Sequence, residues 1–405
     1  MMRRRLLFLG NPIDDATRAE RRIVTDSPAA TRKMLMLLAM LRRQGHSAVA
    51  LSMGRGRANG ERRYWGWKRV RANGALILYM PFSHVPIFSE LLSLLAGLWP
   101  VWRLRRRARQ TTLLLYNREP AYLPAALLAR WLGYRVMLDF EDAEVIRGGA
   151  FRRWAARMTD RLARDGALLA NSALEHWTHI RPLRCYYGMV ERPSAGRPLD
   201  DGDLHILFGG TLTLEWGVGL LAECIAILKE DAGEWTRRLH FHVTGQGEDE
   251  PLLQQAAALP GAPTVRVHGR LPLDCYRRML QNAQIGLQLR PESGAVADTT
   301  FPSKVPELLG AGLLLVTTDV SDIRRLLGDG ALYVAPDTPA ALAETLRRIA
   351  LAPQAAEAVR TRGQQRLAAR LEPTAVAADM AAFLLPPPAR DQRQGQADQR
   401  SATSS

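Results

Sequence analysis

HILFGGTLTLEWGVGLL (205–221) decides how the chain is built. A short run of strand-forming residues ends in two glycines. A turn follows, and from Val218 apolar residues recur at helical spacing through VGLLAECIAILKE (218–230). The same plan continues downstream with HFHVTG (240–245), TVRVHG (264–269), IGLQL (285–289), LLLVTT (313–318) and ALYVA (331–335). Helical stretches such as LDCYRRMLQNA (273–283) separate these runs. Apolar strands alternating with helices predict an open α/β sheet, parallel and covered on both faces.

Upstream of DDGD (200–203) the same alternation is present. LLFLG (6–10), AVALSM (48–53), ALILYM (75–80), TLLLY (112–116), RVMLDF (135–140) and ALLAN (167–171) read as strands. SPAATRKMLMLLAMLRRQGH (27–46) reads as a helix with Ser27 as its cap and Pro28 at its first position. Two domains are therefore expected, 1–200 and 201–385. The tail, residues 386–405, has no apolar face and is expected to be disordered.

The charge divides along the same line. Residues 1–200 carry 35 Lys and Arg against 16 Asp and Glu, a balance of +19; residues 201–405 carry 20 against 24, a balance of −4, and together they give +15. The basic half suits an anionic partner: nucleic acid, anionic lipid or a phosphorylated acceptor. Its basic residues are scattered over many helices with no recognition motif, so nucleic acid is not the expected partner. VPIFSELLSLLAGLWPVW (85–102), followed by RLRRRAR, approaches the length of a membrane span. A span there would put strands 75–80 and 112–116 on opposite sides of a bilayer, and Glu90 adds cost. A sheet-covering helix with one side on a membrane surface is the expectation. Cys185, Cys224 and Cys275 are far apart, which argues against a disulfide scaffold or a zinc site and fits a reducing compartment. The apolar run LLFL (6–9) is too short for a signal-peptide core.

In an open parallel sheet, ligands bind beyond the carboxyl ends of the strands. FGGTLTLEWG (208–217) offers Gly209, Gly210 and Thr211 there, where backbone amides approach a phosphate; a plain tight turn is the competing reading. VTGQGEDE (243–250) adds Gly245 on equally modest grounds. TTFPSKVPELLGAG (299–312) is richer. Ser303 is placed to cap a helix whose start suits a diphosphate, Lys304 adds a full charge, and Glu307 lies one turn in. A carboxylate at that point accepts two hydrogen bonds from a ribose diol. Taken singly, Lys304 and Glu307 also read as ordinary helix-start charges. Lys304 is one of only four lysines in an arginine-rich chain.

Taken together, ILFGGTLTLEWGVGLL, HFHVTGQGE, VRVHGRLPLDCYRRMLQNAQIGLQLRP and FPSKVPELLGAGLLLVTTD resemble the donor domain of GT-B-fold glycosyltransferases of the family-four (group 1) type. REPAYLPAALLARWLGYRVMLDFED resembles that family's acceptor domain more loosely. The resemblance implies two Rossmann-like domains facing across a cleft, a nucleotide-sugar donor on the second and a retaining transfer with no metal and no other cofactor. It assigns Glu307 to the ribose and puts Thr299 where the family has a first glutamate, with Asp298 beside it. It puts Thr211 and Trp216 where the family has a phosphate-binding Arg and Lys, leaving Lys304 to supply charge. In the acceptor domain it puts Glu141 at a family histidine, and with Asp142 this suggests acidic groups that orient an acceptor hydroxyl or accept its proton. A helix-capping cluster is the competing reading of DFEDAE (139–144).

The expected function is a cytoplasmic glycosyltransferase, peripheral on the inner membrane face. It would move a sugar from a nucleotide sugar to a saccharide acceptor, with a lipid-linked saccharide of surface polysaccharide synthesis as the best guess. The basic amphipathic stretch FRRWAARMTDRLARDG (151–166) supports a membrane partner. A non-catalytic nucleotide-sugar-binding protein and a basic nucleic-acid-binding protein are the alternatives.

Overall fold

The computed structural model describes residues 4–57, 64–142, 149–190, 199, 201–293, 297 and 299–387. Among them the first half holds strands β1 (Arg5–Gly10), β2 (Ser47–Ser52), β3 (Tyr64–Trp65), β4 (Lys68–Ala72), β5 (Ala75–Tyr79), β6 (Phe82–Ser83), β7 (Thr111–Tyr116), β8 (Arg135–Phe140), β9 (Ala167–Leu169) and β10 (Leu183–Cys185). The second half holds β11 (Leu204–Thr211), β12 (Leu239–Gln246), β13 (Thr264–Val267), β14 (Ile285–Gln288), β15 (Leu314–Thr317) and β16 (Leu332–Tyr333). The first sheet runs β10-β9-β8-β7-β1-β2-β5-β4 and the second β13-β12-β11-β14-β15-β16. Every pairing in the second is parallel. In the first, β4 alone is antiparallel, joined to β5 by a tight turn in which Asn73 and Gly74 both have positive φ. Only a parallel sheet was expected; the Asn-Gly turn signal marks where the hairpin departs from it. A small β3–β6 ribbon stands apart.

The strands are apolar because helices cover both their faces. Val136, Met137, Leu138 and Phe140 of β8 are all fully buried. The first half contributes helices α1 (Asp15–Glu20), α2 (Pro28–Arg43), α3 (Pro86–Ala96), α4 (Leu98–Arg103), α5 (Leu123–Trp131) and α6 (Ala150–Leu162). The second contributes α7 (Val218–Glu230), α8 (Glu234–Arg237), α9 (Glu250–Ala258), α10 (Leu273–Asn282), α11 (Lys304–Gly310), α12 (Ile323–Leu327), α13 (Pro339–Leu351), α14 (Pro353–Leu371) and α15 (Pro373–Leu384). Ser27 caps α2 as expected, its hydroxyl accepting from the Ala30 amide at 3.3 Å. The apolar stretch 85–102 divides into α3 and α4 at Gly97, and among the described residues no helix is long and apolar enough to cross a membrane.

One element leaves the expected 201–385 unit. Helix α15 returns to the first sheet, where Ala377, Met380, Ala381 and Leu384 share a core with Leu6, Phe8 and Leu37. The chain thus passes between the two sheets twice, and the crossings touch, the Val190 amide donating to the Leu371 carbonyl at 3.2 Å. The expected tail beyond residue 387 lies outside the described residues.

Candidate active site

The strand order reverses between β1 and β7 in one sheet and between β11 and β14 in the other. At such a reversal the loops turn to opposite faces and leave a crevice at the carboxyl ends. In the second sheet the crevice is walled by the turn after β11 and the segment after β14. The two walls meet closely at Gly217, which has φ +93°, and a β-carbon there would sit 2.1 Å from the Leu289 carbonyl oxygen. Gly245 is constrained in the same way. Its φ is +133° and a β-carbon would lie 1.9 Å from the Gly210 carbonyl, across the register that pairs the two glycines.

Gly209 and Gly210 lie inside the end of β11 and not in the tight turn of the competing reading, and Tyr276 and Lys304 cover them. A β-carbon on Gly209 would lie 3.9 Å from the Tyr276 ring, and one on Gly210 would lie 3.9 Å from Lys304 Cε. Lys304 Nζ donates to Tyr276 Oη at 2.8 Å and to Glu307 Oε2 at 2.7 Å, and Tyr276 donates to the same carboxylate at 3.1 Å. Its other oxygen accepts from Arg32 of α2 in the first domain, at 2.5 Å. Burial by itself would raise the Glu307 carboxyl, but the Lys304 and Arg32 charges and their hydrogen bonds outweigh it and hold the group at about 2. The Tyr276 phenol is pushed up to about 12, chiefly by burial. Glu307 is therefore ionised and only 14% exposed, not a first-turn charge facing water.

Not every expected donor residue takes the expected part. Ser303 is exposed and its side chain makes no capping bond; its backbone is already helical, so the oxygen cannot reach the N2 or N3 amide. The helix it precedes has seven residues, too short for a strong dipole. Thr211, the last residue of β11, is exposed and Thr299 is buried. Asp298 lies outside the described residues. Trp216 is not a bare gap where a cation is missing: the Arg290 guanidinium stacks 4.2 Å from its ring and donates to the Thr300 carbonyl at 3.0 Å, tying the two crevice walls together.

In the first domain the expected Glu141 sits at the end of β8. Asn117, in a left-handed conformation after β7, accepts from the Glu141 and Asp142 amides through Oδ1 at 2.7 and 3.1 Å and so fixes that turn. Lys33 of α2 donates to Glu141 Oε1 at 2.5 Å, with its ammonium 4.8 Å from the Tyr186 ring. Below lies Asp139, 2% exposed, with Oδ1 unpartnered. Burial first, then the nearby Glu141 charge, raise its carboxyl well above the ordinary value. The last two residues of the DFEDAE stretch, 143 and 144, lie outside the described residues.

Neighbouring residues of one helix thus reach both clusters: Arg32 holds Glu307, and Lys33 holds Glu141. The domains also meet at Asp322, whose carboxylate accepts from the Ser172 amide and hydroxyl at 2.6 Å and from the Tyr187 hydroxyl at 2.7 Å. Sequence reading missed Arg32, Lys33, Asn117, Tyr276 and Asp139. One signal was present, because Lys33 is another of the four lysines.

Two Rossmann-like sheets with facing crevices define the GT-B class. Residues 203–351 match the family model for glycosyl transferases group 1. No curated protein matches the chain in sequence. Among solved structures, the E. coli trehalose-6-phosphate structure bound with UDP-2-fluoro glucose is similar at TM-score 0.64 and 12% identity, covering 94% of this chain and 98% of that one. An α,α-trehalose-phosphate synthase (UDP-forming) from Burkholderia vietnamiensis gives 0.65 and 14%, covering 95% and 99%. The Burkholderia xenovorans enzyme in complex with glucose-6-phosphate gives 0.64 and 13%, covering 94% and 99%. At these identities the likeness is one of fold.

Proposed function

We propose that the protein transfers a sugar from a nucleotide sugar, with UDP or GDP as carrier, to a lipid-linked saccharide at an anionic membrane surface, in the synthesis of a surface polysaccharide. The observation that carries the donor half is the Gly209–Gly210 end of β11 lying under Lys304 and Tyr276 beside an ionised Glu307. Glu307 has two carboxylate oxygens for a ribose diol. Lys304 lies over the glycine end of β11, where a diphosphate fits, and Gly245 keeps that floor low. Thr211 and Thr299 border the same crevice. On the acceptor side, Glu141 receives the proton of the attacking hydroxyl or orients it, with Lys33 holding the carboxylate and Asp142 beside it. The developing charge on the diphosphate is met by protein cations, with no metal and no other cofactor. Configuration at the sugar is retained.

A surface on the first domain supports the membrane part. Phe88, Leu91 and Leu95 of α3 and Trp99 and Trp102 of α4 are all exposed. Arg103 and Arg105 stack on the two tryptophans, at 5.8 and 4.4 Å. Indole rings rimmed with guanidinium groups suit the headgroup region of an anionic bilayer. The proposal has the protein working at the cytoplasmic face of the inner membrane.

The test is a panel of radiolabelled UDP- and GDP-sugars, incubated with membranes and, separately, with glucose 6-phosphate in solution. The proposal expects label in the lipid extract, and NMR of the product should show an unchanged anomeric configuration. Label appearing only in soluble sugar phosphate would replace the lipid acceptor by the kind of acceptor bound in the B. xenovorans structure. Binding without any transfer would leave a nucleotide-sugar-binding protein.

A further inference from the structure

We infer that Arg32, carried by the first domain, is the second cation on the donor's diphosphate and acts across the cleft. The inference rests on the nucleotide-sugar reading above. A diphosphate leaving group gains charge as its bond to the sugar breaks, and one lysine is a thin supply of compensation. From Gly209 at the end of β11 to Leu228 the chain contains no Lys or Arg. Arg290 is at hand but fully buried between Trp216 and the Thr300 carbonyl. Arg32, by contrast, is 43% exposed and already reaches the cluster.

The geometry gives it a definite task. Arg32 Nη1 and Lys304 Nζ grip opposite oxygens of a single carboxylate, at 2.5 and 2.7 Å. Two cations are thereby bridged by one small anion, a part that a phosphate group can also play. When a ribose diol donates its two hydroxyl protons to Glu307, both cations lose part of their hold on that carboxylate. The diphosphate attached to the same ribose lies within their reach. Guanidinium binds phosphate through two parallel N–H donors, which an ammonium cannot do. The donor site is then complete only while α2 stands against the second domain, so nucleotide binding and domain closure support each other.

A different role for Arg32, as a latch that only blocks Glu307, predicts the opposite sign. Calorimetry on the full chain with uridine, UDP, guanosine and GDP, using the parent, Arg32→Ala and Arg32→Lys, separates the two. We expect Arg32→Ala to weaken the better-bound diphosphate about tenfold or more while its nucleoside stays within about twofold. Arg32→Lys should recover part of the loss. The ratio of diphosphate to nucleoside affinity is insensitive to a small loss of folded protein. Unchanged or tighter diphosphate binding by Arg32→Ala overturns the inference and leaves the donor reading standing. A parent that binds none of the four ligands overturns both.

Discussion

Two lysine–glutamate pairs are linked through adjacent residues of α2, and in their surroundings carboxyl groups are driven in opposite directions. In the second domain Lys304 and Glu307 are joined by Arg32 and Tyr276, and the carboxylate is driven to about 2. In the first domain Lys33 and Glu141 sit over Asp139, whose carboxyl burial and the Glu141 charge drive upward. On the proposed function, the first arrangement serves binding through a fixed negative charge. The second sets a carboxyl with a raised pKa beside an ion-paired carboxylate, which suits the proposed proton transfer. The same two residue types stand in both places, and each glutamate is equally shielded at 14% exposure, so the difference lies in the neighbours: two cations and a phenol at Glu307, one cation and a buried carboxyl at Glu141.

The sharpest way to break this contrast is to neutralise each glutamate. Glu141→Gln is expected to lower kcat about a hundredfold or more with nucleotide affinity within about twofold, read by steady-state kinetics and calorimetry. An unchanged kcat would return the β8 turn to a structural role. Glu307→Gln should instead weaken nucleoside and nucleoside diphosphate alike, by about tenfold, and a 2′-deoxy ligand should suffer less from it. Lys304→Ala should penalise the diphosphate more than the nucleoside. Equal losses on all ligands in both variants would mean that the two residues only hold each other.

Stability against pH sharpens the contrast further. Glu307 has a carboxyl depressed from an ordinary value near 4.5 to about 2, so its contribution is full above 4.5 and is lost as pH falls toward 2. Asp139 has a raised carboxyl, so its contribution is full below its ordinary 3.8 and is lost as pH rises through the raised value. In thermal unfolding at neutral pH, Glu307→Gln should therefore lower Tm and Asp139→Asn should raise it. Two shifts of the same sign would refute the assignment. The smallest effect expected is on membrane association. Vesicles containing anionic lipid should retain the full chain at low salt and release it as salt rises, and Trp99→Ala with Trp102→Ala should weaken retention several-fold. Retention indifferent to salt and to both tryptophans would remove the bilayer from the proposal.

How much of this was legible in the sequence follows the range of the interactions. The strands were, because burial on both faces writes itself as continuous apolar runs, as in RVMLDF and HILFGG. Glycine at 210 and 245 was, because backbone approach admits little else. Lys304 and Glu307 were marked by spacing three residues apart. What surrounds them was not: Arg32 lies 275 residues from Glu307, and Lys33 lies 108 from Glu141. No local pattern encodes a partner delivered by the packing of a separate domain. Ser303 shows the converse error, a cap inferred from residue type where the backbone had already turned helical.

The return of α15 carries a consequence for anyone who would express the two halves separately. A fragment stopping at residue 200 would lack the cover over Leu6, Phe8 and Leu37, and the complementary fragment would end in an apolar helix with nothing to lie on. Both pieces are expected to aggregate where the intact polypeptide does not. A gene fusion that appended residues 373–385 to the end of the first fragment would cure one and, by the same cut, the other.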